Sequence, residues 1–452
     1  MIRLLLLICL LAAPTAQAQF SGTVRGTVRT FDTRADPYEQ AGYGPSNESA
    51  NPNRTHFRQA GRFGGTTITV PEALVEVCVI LVATLGCKPM WTRTNNAGQY
   101  AVTWSGLTSA IAIYSKVYAI RPQLNPGEVI NDDKMPAPEF RVTTAGFGNV
   151  QVGETSRFSA IASLGDTQVL DINVGTAGRE VMNAYLTARE TYAMLDAQAT
   201  VPNGGSIRSD MQGLDIFANA IFDNGGGGGL AYFNDEVYLI PGTGTNFPFT
   251  IPHEIGHIVA WRAMDWWKAP YDFSAYSFGD DTGLSWSDVS NEYERPAFWE
   301  GFAHSVGALW MWKTNATPTP GSGDCVAAGE APGIPRGVCR SLEDPSIGCA
   351  PGNNRGHRRA MCVARAFWDI YDNPFGDEDQ LSPRNLGSVV DVFRRYPRGC
   401  LPFFDNGCRD EGDFDDNNWK DYVRNHRIRF PSDANRITGI QFLNDLQGGN
   451  DG

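Results

Sequence analysis

Residues Pro252–His257 read PHEIGH, inside the apolar run IPHEIGHIVAW at 251–261. His253 and His257 are four apart, so on a helix they share one face, one turn from each other. Both imidazoles can then point at a single Zn2+. Glu254 stands one residue round the helix, where it can hold and deprotonate a water without filling a ligand position. Pro252 suits a first helical turn, and Ile255, Ile258 and Val259 can face a core. The plain alternative is two surface histidines beside a chance Glu. An apolar helix preceded by a strand, in a chain with only 6 His, favours the metal site.

A catalytic zinc commonly has three protein ligands. The next helical stretch is PAFWEGFAHSVGALWMWK, Pro296–Lys313. Its Glu300 is set among Phe298, Trp299, Phe302 and Val306, which predicts a partly buried carboxylate in need of a partner. Glu300 is therefore the expected third ligand, against the alternative of an exposed helix charge. His304 lies four residues on, on the same face. It is expected to hold a ligand imidazole or Glu300 in position, with ligation of its own as the lesser alternative.

Further on, Asn354-Arg355-Gly356-His357 precedes the helical stretch RRAMCVARAFWDIYD. His357 at that helix start could be aimed into a cleft, to stabilise an oxyanion developing on a carbonyl. The competing reading is a surface histidine among arginines. His56 and His426 have no such company and read as surface residues.

Upstream, Arg179–Ala199 has no Gly or Pro and predicts a helix. IRSDMQGLDIFANAIF predicts one or two strands, and AYFNDEVYLIPG a single strand. Asn224 and Gly225–Gly229 between them read as a loop. That loop lacks the Gly-Lys-Ser/Thr ending of a phosphate loop. Residues 20–150 are β in character: Val75, Val77, Val79 and Leu81 alternate, as do Tyr100, Val102 and Trp104. Ile111, Ile113, Val117, Tyr118 and Ile120 form a further apolar segment. The turn Asn95-Asn96-Ala97-Gly98 separates strands, and such spacing suggests a sandwich. Residues 34–66 read as a long loop inside it. The expected segmentation is a signal peptide at 1–18, a β-sandwich at 19–150, a linker and strand region at 151–175, and the site-bearing domain at 176–452.

The chain opens MIRLLLLICLLAAPTAQAQF. Arg3, an apolar run from Leu4 to Ala13 and Ala16-Gln17-Ala18 make an export signal cleaved before Gln19. The run is too short to span a bilayer, and no later run is long enough. The expected location is secreted or periplasmic. Of 9 Cys, eight remain after Cys9. An even count in an exported chain predicts up to four disulfides. Cys78 and Cys87 are expected to pair, and the other six allow 15 connectivities. No C-x2-C pair points to a cysteine metal site. A net charge of −13 argues against a nucleic-acid partner, because it repels phosphates. Asp410, Glu411, Asp413, Asp415 and Asp416 raise Ca2+ as a second cation. They lack the spacing of an EF-hand, and a solvated acidic loop is the expected reading.

The ordered set HEIGH, WEGFAH and GHRRAMCVARAFWDIYD resembles the gluzincin zinc metallopeptidases, thermolysin-like and more so fungalysin-like. The resemblance covers roughly residues 180–390. It implies zinc held by His253, His257 and Glu300, Glu254 as the base and His357 as the oxyanion-stabilising residue. It also implies that the strand before the motif is an edge strand for an extended protein or peptide substrate. The chain departs from the family at His304, where the family has Asp. Separately, TRTNNAGQYAVTW resembles a segment of carboxypeptidase-regulatory-like, transthyretin-type sandwiches.

The expected fold class is multidomain: an all-β sandwich, then an α+β gluzincin-like domain with a mainly helical C-terminal half. The expected activity is that of an exported zinc endopeptidase. Two alternatives stay open. One is a zinc aminopeptidase, although no G-x-M-E-N-like run is present to hold a free amine. The other is an inactive surface-binding or adhesive protein with a peptidase-like domain.

Overall fold

The computed structural model describes residues 20–34, 65–81, 86–107, 110–144, 151–154, 159–160, 167–197, 207, 211–218, 229–232, 236–239, 250–263, 294–313, 326–327, 339–340, 349, 359–371, 385–394, 419–444 and 446. The signal segment, most of the 34–66 loop, the acidic cluster at 410–416, His56 and His357 lie outside these.

The first half is strand-rich: β1 (Phe20–Phe31), β2 (Thr67–Thr69), β3 (Leu74–Leu81), β4 (Cys87–Arg93), β5 (Gln99–Leu107), β6 (Ala110–Tyr118), β7 (Ile120–Pro122), β8 (Pro138–Thr143), β9 (Gln151–Glu154), β10 (Ser159–Ala160), β11 (Thr167–Val169) and β12 (Ile172–Asn173). Then come α1 (Thr176–Ala197), β13 (Leu214–Phe217), β14 (Gly229–Tyr232) and β15 (Glu236–Leu239). The rest is mainly helical: α2 (Thr250–Ala263), α3 (Glu294–Lys313), the short pair β16 (Val326–Ala327) and β17 (Cys339–Arg340), α4 (Ala360–Tyr371), α5 (Leu386–Phe393), α6 (Trp419–Arg429) and α7 (Ala434–Leu443). The protein is thus of mixed α and β structure.

In the first sheet, β1 is the centre. β5 and β2 pair with it antiparallel, β11 and β12 parallel. Gly26 of β1 is required there, because a Cβ at that position would stand 2.0 Å from the Leu170 carbonyl oxygen. The second sheet, of β10, β6, β3, β4 and β9, is wholly antiparallel. Of the alternating residues named from the sequence, Val102 of the first sheet and Val75, Val77, Val79, Ile113 and Val117 of the second are fully buried in a shared core, which Val24 and Val28 of β1 join. The predicted turn also forms, with Gly98 at φ 73° and Asn95 Oδ1 accepting from the Ala97 and Gln99 amides at 2.9 Å. The expected Cys78–Cys87 disulfide ties β3 to β4, and a second joins Cys349 to Cys362.

The third sheet runs β14-β15-β13-β8-β7 and is mixed, with β8, β13 and β15 parallel. Its pairing does not follow the expected segment boundaries. β7 and β8, from the segment read as sandwich, belong to this sheet, while β9 to β12, from the segment read as a linker and strand region, complete the first two. The single strand expected at 231–242 is instead β14 and β15, an antiparallel pair. Of this pair, β14 lies at a sheet edge and β15 does not, and Gly229 is the first residue of β14 rather than loop. Asp215 and Arg141 sit opposite each other across β13 and β8, paired at 2.6 Å. α1 packs onto this sheet through Tyr185 and Tyr192, which meet Phe140 of β8 at 5.4 and 4.5 Å between ring centres.

Downstream, α2 touches α1, β14 and α3, and α3 packs on α4. Phe298 and Phe302 of α3, Phe367 of α4, Phe393 of α5 and Tyr422 of α6 form one aromatic core. His426 is corrected from a surface residue. It is 2% exposed, beside Tyr422 Oη at 3.2 Å and Asp433 at 3.6 Å. One turn after Tyr422, it lies on the helix face that joins the aromatic core. No helix among the described residues is long and apolar enough to cross a membrane. Separately, the two disulfides among the described residues are compatible with an extracellular protein.

Candidate metal centre

α2 is buried almost all round, from Ile251 to Trp261, as expected of a helix apolar on every side. Ile255, Ile258 and Val259 are at most 1% exposed. Two glycines set the distance between the site helices. A Cβ on Gly256 would lie 3.0 Å from Ala303 Cα, so α2 and α3 touch backbone to backbone there. A Cβ on Gly301 would lie 2.5 Å from Val363 Cβ and 2.7 Å from the Ala360 carbonyl, so α3 meets α4 as closely. This double close approach places Glu300, next to Gly301, opposite the histidines of α2.

The resulting geometry is a triangle. His253 Nε2 and His257 Nε2 are 3.2 Å apart, and Glu300 Oε2 is 3.3 Å from the first and 3.4 Å from the second. Metal–ligand bonds of about 2.0–2.1 Å at tetrahedral angles give ligand–ligand edges of about 3.3–3.4 Å. Two imidazole nitrogens and one carboxylate oxygen at these separations therefore match a zinc donor set in both chemistry and spacing. The potential ligand atoms of His253, Glu254 and His257 all fall within 4.8 Å of one another, as do those of His253, Glu300 and His304. The structure thus brings together His253, Glu254, His257, Glu300 and His304. Glu254 is 6% exposed, Glu300 8% and His304 3%.

The protonation states of His253 and Glu300 fit the same use. Burial drives the His253 imidazole down to about 4, with His304 reinforcing and Glu300 opposing. Burial pulls His257 the same way, but Glu300, followed by Glu254, outweighs it and raises its basicity. For Glu300, burial would raise the carboxyl, yet His257 and His253 hold it well below the ordinary carboxylate range. Glu300 is therefore anionic and His253 neutral near pH 7, the forms that bind a metal.

The surroundings orient the rings. His304 Nδ1 lies 2.8 Å from the Glu300 carbonyl oxygen, and its ring meets His253 edge to face at 4.6 Å. The sequence assigned His304 a positioning task but gave no sign of this bond to the backbone. Trp261 stacks on His257 at 5.6 Å, while His257 Nδ1 is buried without a hydrogen-bond partner. Trp261 was not singled out from the sequence, although its i+4 spacing from His257 was the available signal. His357 lies outside the described residues. No protein-family model matches the chain, and no curated protein matches it in sequence.

Proposed function

We propose that this chain is an exported zinc metallopeptidase of the gluzincin type, hydrolysing peptide bonds in protein or peptide substrates. The observation that carries the reading is the His253–His257–Glu300 triangle, with edges of 3.2, 3.3 and 3.4 Å, beside a buried Glu254. These three side chains would hold the ion. Zinc, when bound, supplies Lewis acidity that polarises a carbonyl and makes a water more acidic. Glu254 orients the attacking water and takes its proton as the water oxygen adds to the carbonyl carbon. It then delivers that proton to the amide nitrogen as the C–N bond breaks, leaving a carboxylate and an amine. The low exposure of the helices around the site keeps competing water out.

The edge strand β14 supports a peptide as the substrate. It is antiparallel to β15, has no partner on its other side among the described residues, and packs against α2. An extended peptide pairing there would be held by main-chain hydrogen bonds and so cleaved with broad sequence tolerance. We take the first two sheets as the accessory sandwich and the location as secreted or periplasmic. The test is Glu254→Gln in the mature protein, with zinc content and casein cleavage measured together. The expected result is unchanged zinc and cleavage lowered by about 10²–10⁴-fold. Unchanged cleavage would overturn the proposal.

A further inference from the structure

A second polar site lies away from the metal centre. A cavity of about 470 Å³ opens between the second and third sheets, within the usual size range of small-molecule sites. Its wall includes Glu72, Arg93, Arg121, Gln123, Glu139 and Gln212. Glu72 is the hub: Arg189 reaches it at 2.9 Å, Arg121 at 3.5 Å and Arg93 at 3.8 Å. Arg121 also faces Glu139 at 3.1 Å. Glu72 is held at φ 59°, the only non-glycine residue with positive φ among those described.

The guanidiniums are not used up by these pairs. Arg93 is 8% exposed and Arg121 6%. Arg121 Nε is taken by Glu139, but Arg93 Nε and Arg121 Nη1 are buried with no hydrogen-bond partner. Two forked cations with spare N–H groups, lining one cavity, suit a ligand that accepts two hydrogen bonds at once. Charge decides which ligand. Three arginines (Arg93, Arg121 and Arg189) face two carboxylates (Glu72 and Glu139), leaving one positive charge over. A monoanion balances it. A phosphate dianion would over-balance it beside two carboxylates. The same carboxylates favour a ligand that also carries a cationic or N–H group.

We propose that this cavity binds the carboxylate of a small amino-acid-like molecule, a free amino acid or a peptide C-terminus, on Arg93 and Arg121. It does not depend on the metal centre. Gln212, whose carbonyl accepts from Arg262 Nη1 of α2 at 2.9 Å, is the shared wall between the two regions.

The test is calorimetric titration of the full mature protein with glycine, glycylglycine, acetate and phosphate at constant ionic strength. Saturable binding of glycine or glycylglycine, with acetate weaker and phosphate weakest, is expected. Tighter glycylglycine marks a peptide end as the ligand, and tighter glycine a free amino acid. Arg93→Gln and Arg121→Gln should each weaken binding at least tenfold. Gln123→Trp, at an exposed lip of the cavity, should block binding without touching the ion pairs. No saturation by any probe below 50 mM, or phosphate bound best, would overturn the proposal. So would binding untouched by all three variants. Zinc content and casein cleavage of the same variants report separately on the metal centre.

Discussion

His304 Nδ1 lies 2.8 Å from the carbonyl oxygen of Glu300, one turn back on the same helix. A carbonyl can only accept, so Nδ1 carries a proton and donates it to that oxygen. The ring thereby locks the backbone of Glu300 and presses on His253. His304→Ala should leave the fold intact and weaken zinc binding about 10–100-fold, where Glu300→Ala should abolish it. Chelator competition distinguishes the two. Equal zinc affinity in His304→Ala and wild type would remove His304 from the site.

Gly301 gives the second expectation, opposite in sign to helix propensity. Ala in a helix is usually better than Gly by about 1 kcal/mol. At Gly301 a methyl group would meet Val363 and the Ala360 carbonyl inside 3 Å. Gly301→Ala should therefore destabilise by about 1–3 kcal/mol and loosen zinc binding by displacing Glu300. Thermal unfolding with and without zinc reads both. A raised Tm would contradict the packing described.

Glu72 predicts a pH dependence. Burial raises its carboxyl, but Arg121, then Arg189 and Arg93, outweigh this and hold it below the ordinary value of 4.5. The folded value lies under the unfolded one, so the stabilisation is full above about pH 4.5 and is lost as pH falls through the folded value. Glu72→Gln should cost about 2 kcal/mol at pH 7, and the gap to wild type should close on acidification toward pH 3. A gap of constant size across that range would show that the ion pairs contribute nothing.

The Cys349–Cys362 disulfide closes a short loop onto the start of α4, and both residues are fully buried. Its 13-residue separation suggests a contribution of about 3 kcal/mol. The double variant Cys349→Ala/Cys362→Ala should unfold at lower denaturant by that amount. A midpoint unchanged from wild type would place the two thiols outside the stabilising network.

The local parts of this architecture were readable because they depend on spacing alone. The i, i+4 pair of His253 and His257 and the aromatic company of Glu300 each follow from one helix period. The site needs only that α2 and α3 face each other, and Gly256 and Gly301 bring that about. Partner choice was not readable. Ile120 and Val142 alternate like any sandwich strand, and nothing in them shows that β7 and β8 pair onward to β13. The break of 231–242 had a signal in Asn234-Asp235, a turn-forming pair. Glu72, Arg93, Arg121 and Glu139 are isolated charges in sequence, and only the meeting of the two sheets makes them a cluster.

The strand order has a consequence for dissecting the chain. The first sheet needs β1 and β12, and the third needs β7 and β15. Any scission between Phe31 and Glu236 therefore parts at least one sheet and bares the edge of a strand built to be covered. A fragment ending at residue 150 would carry β7 and β8 without β13, and β1 without β11 and β12. During synthesis the N-terminal strands must wait for residues that leave the ribosome much later, so early closure is unavailable. The strands from β1 to β15 are thus one folding block, and the first covalent link past Phe31 that can be cut without parting these three sheets lies after Leu239.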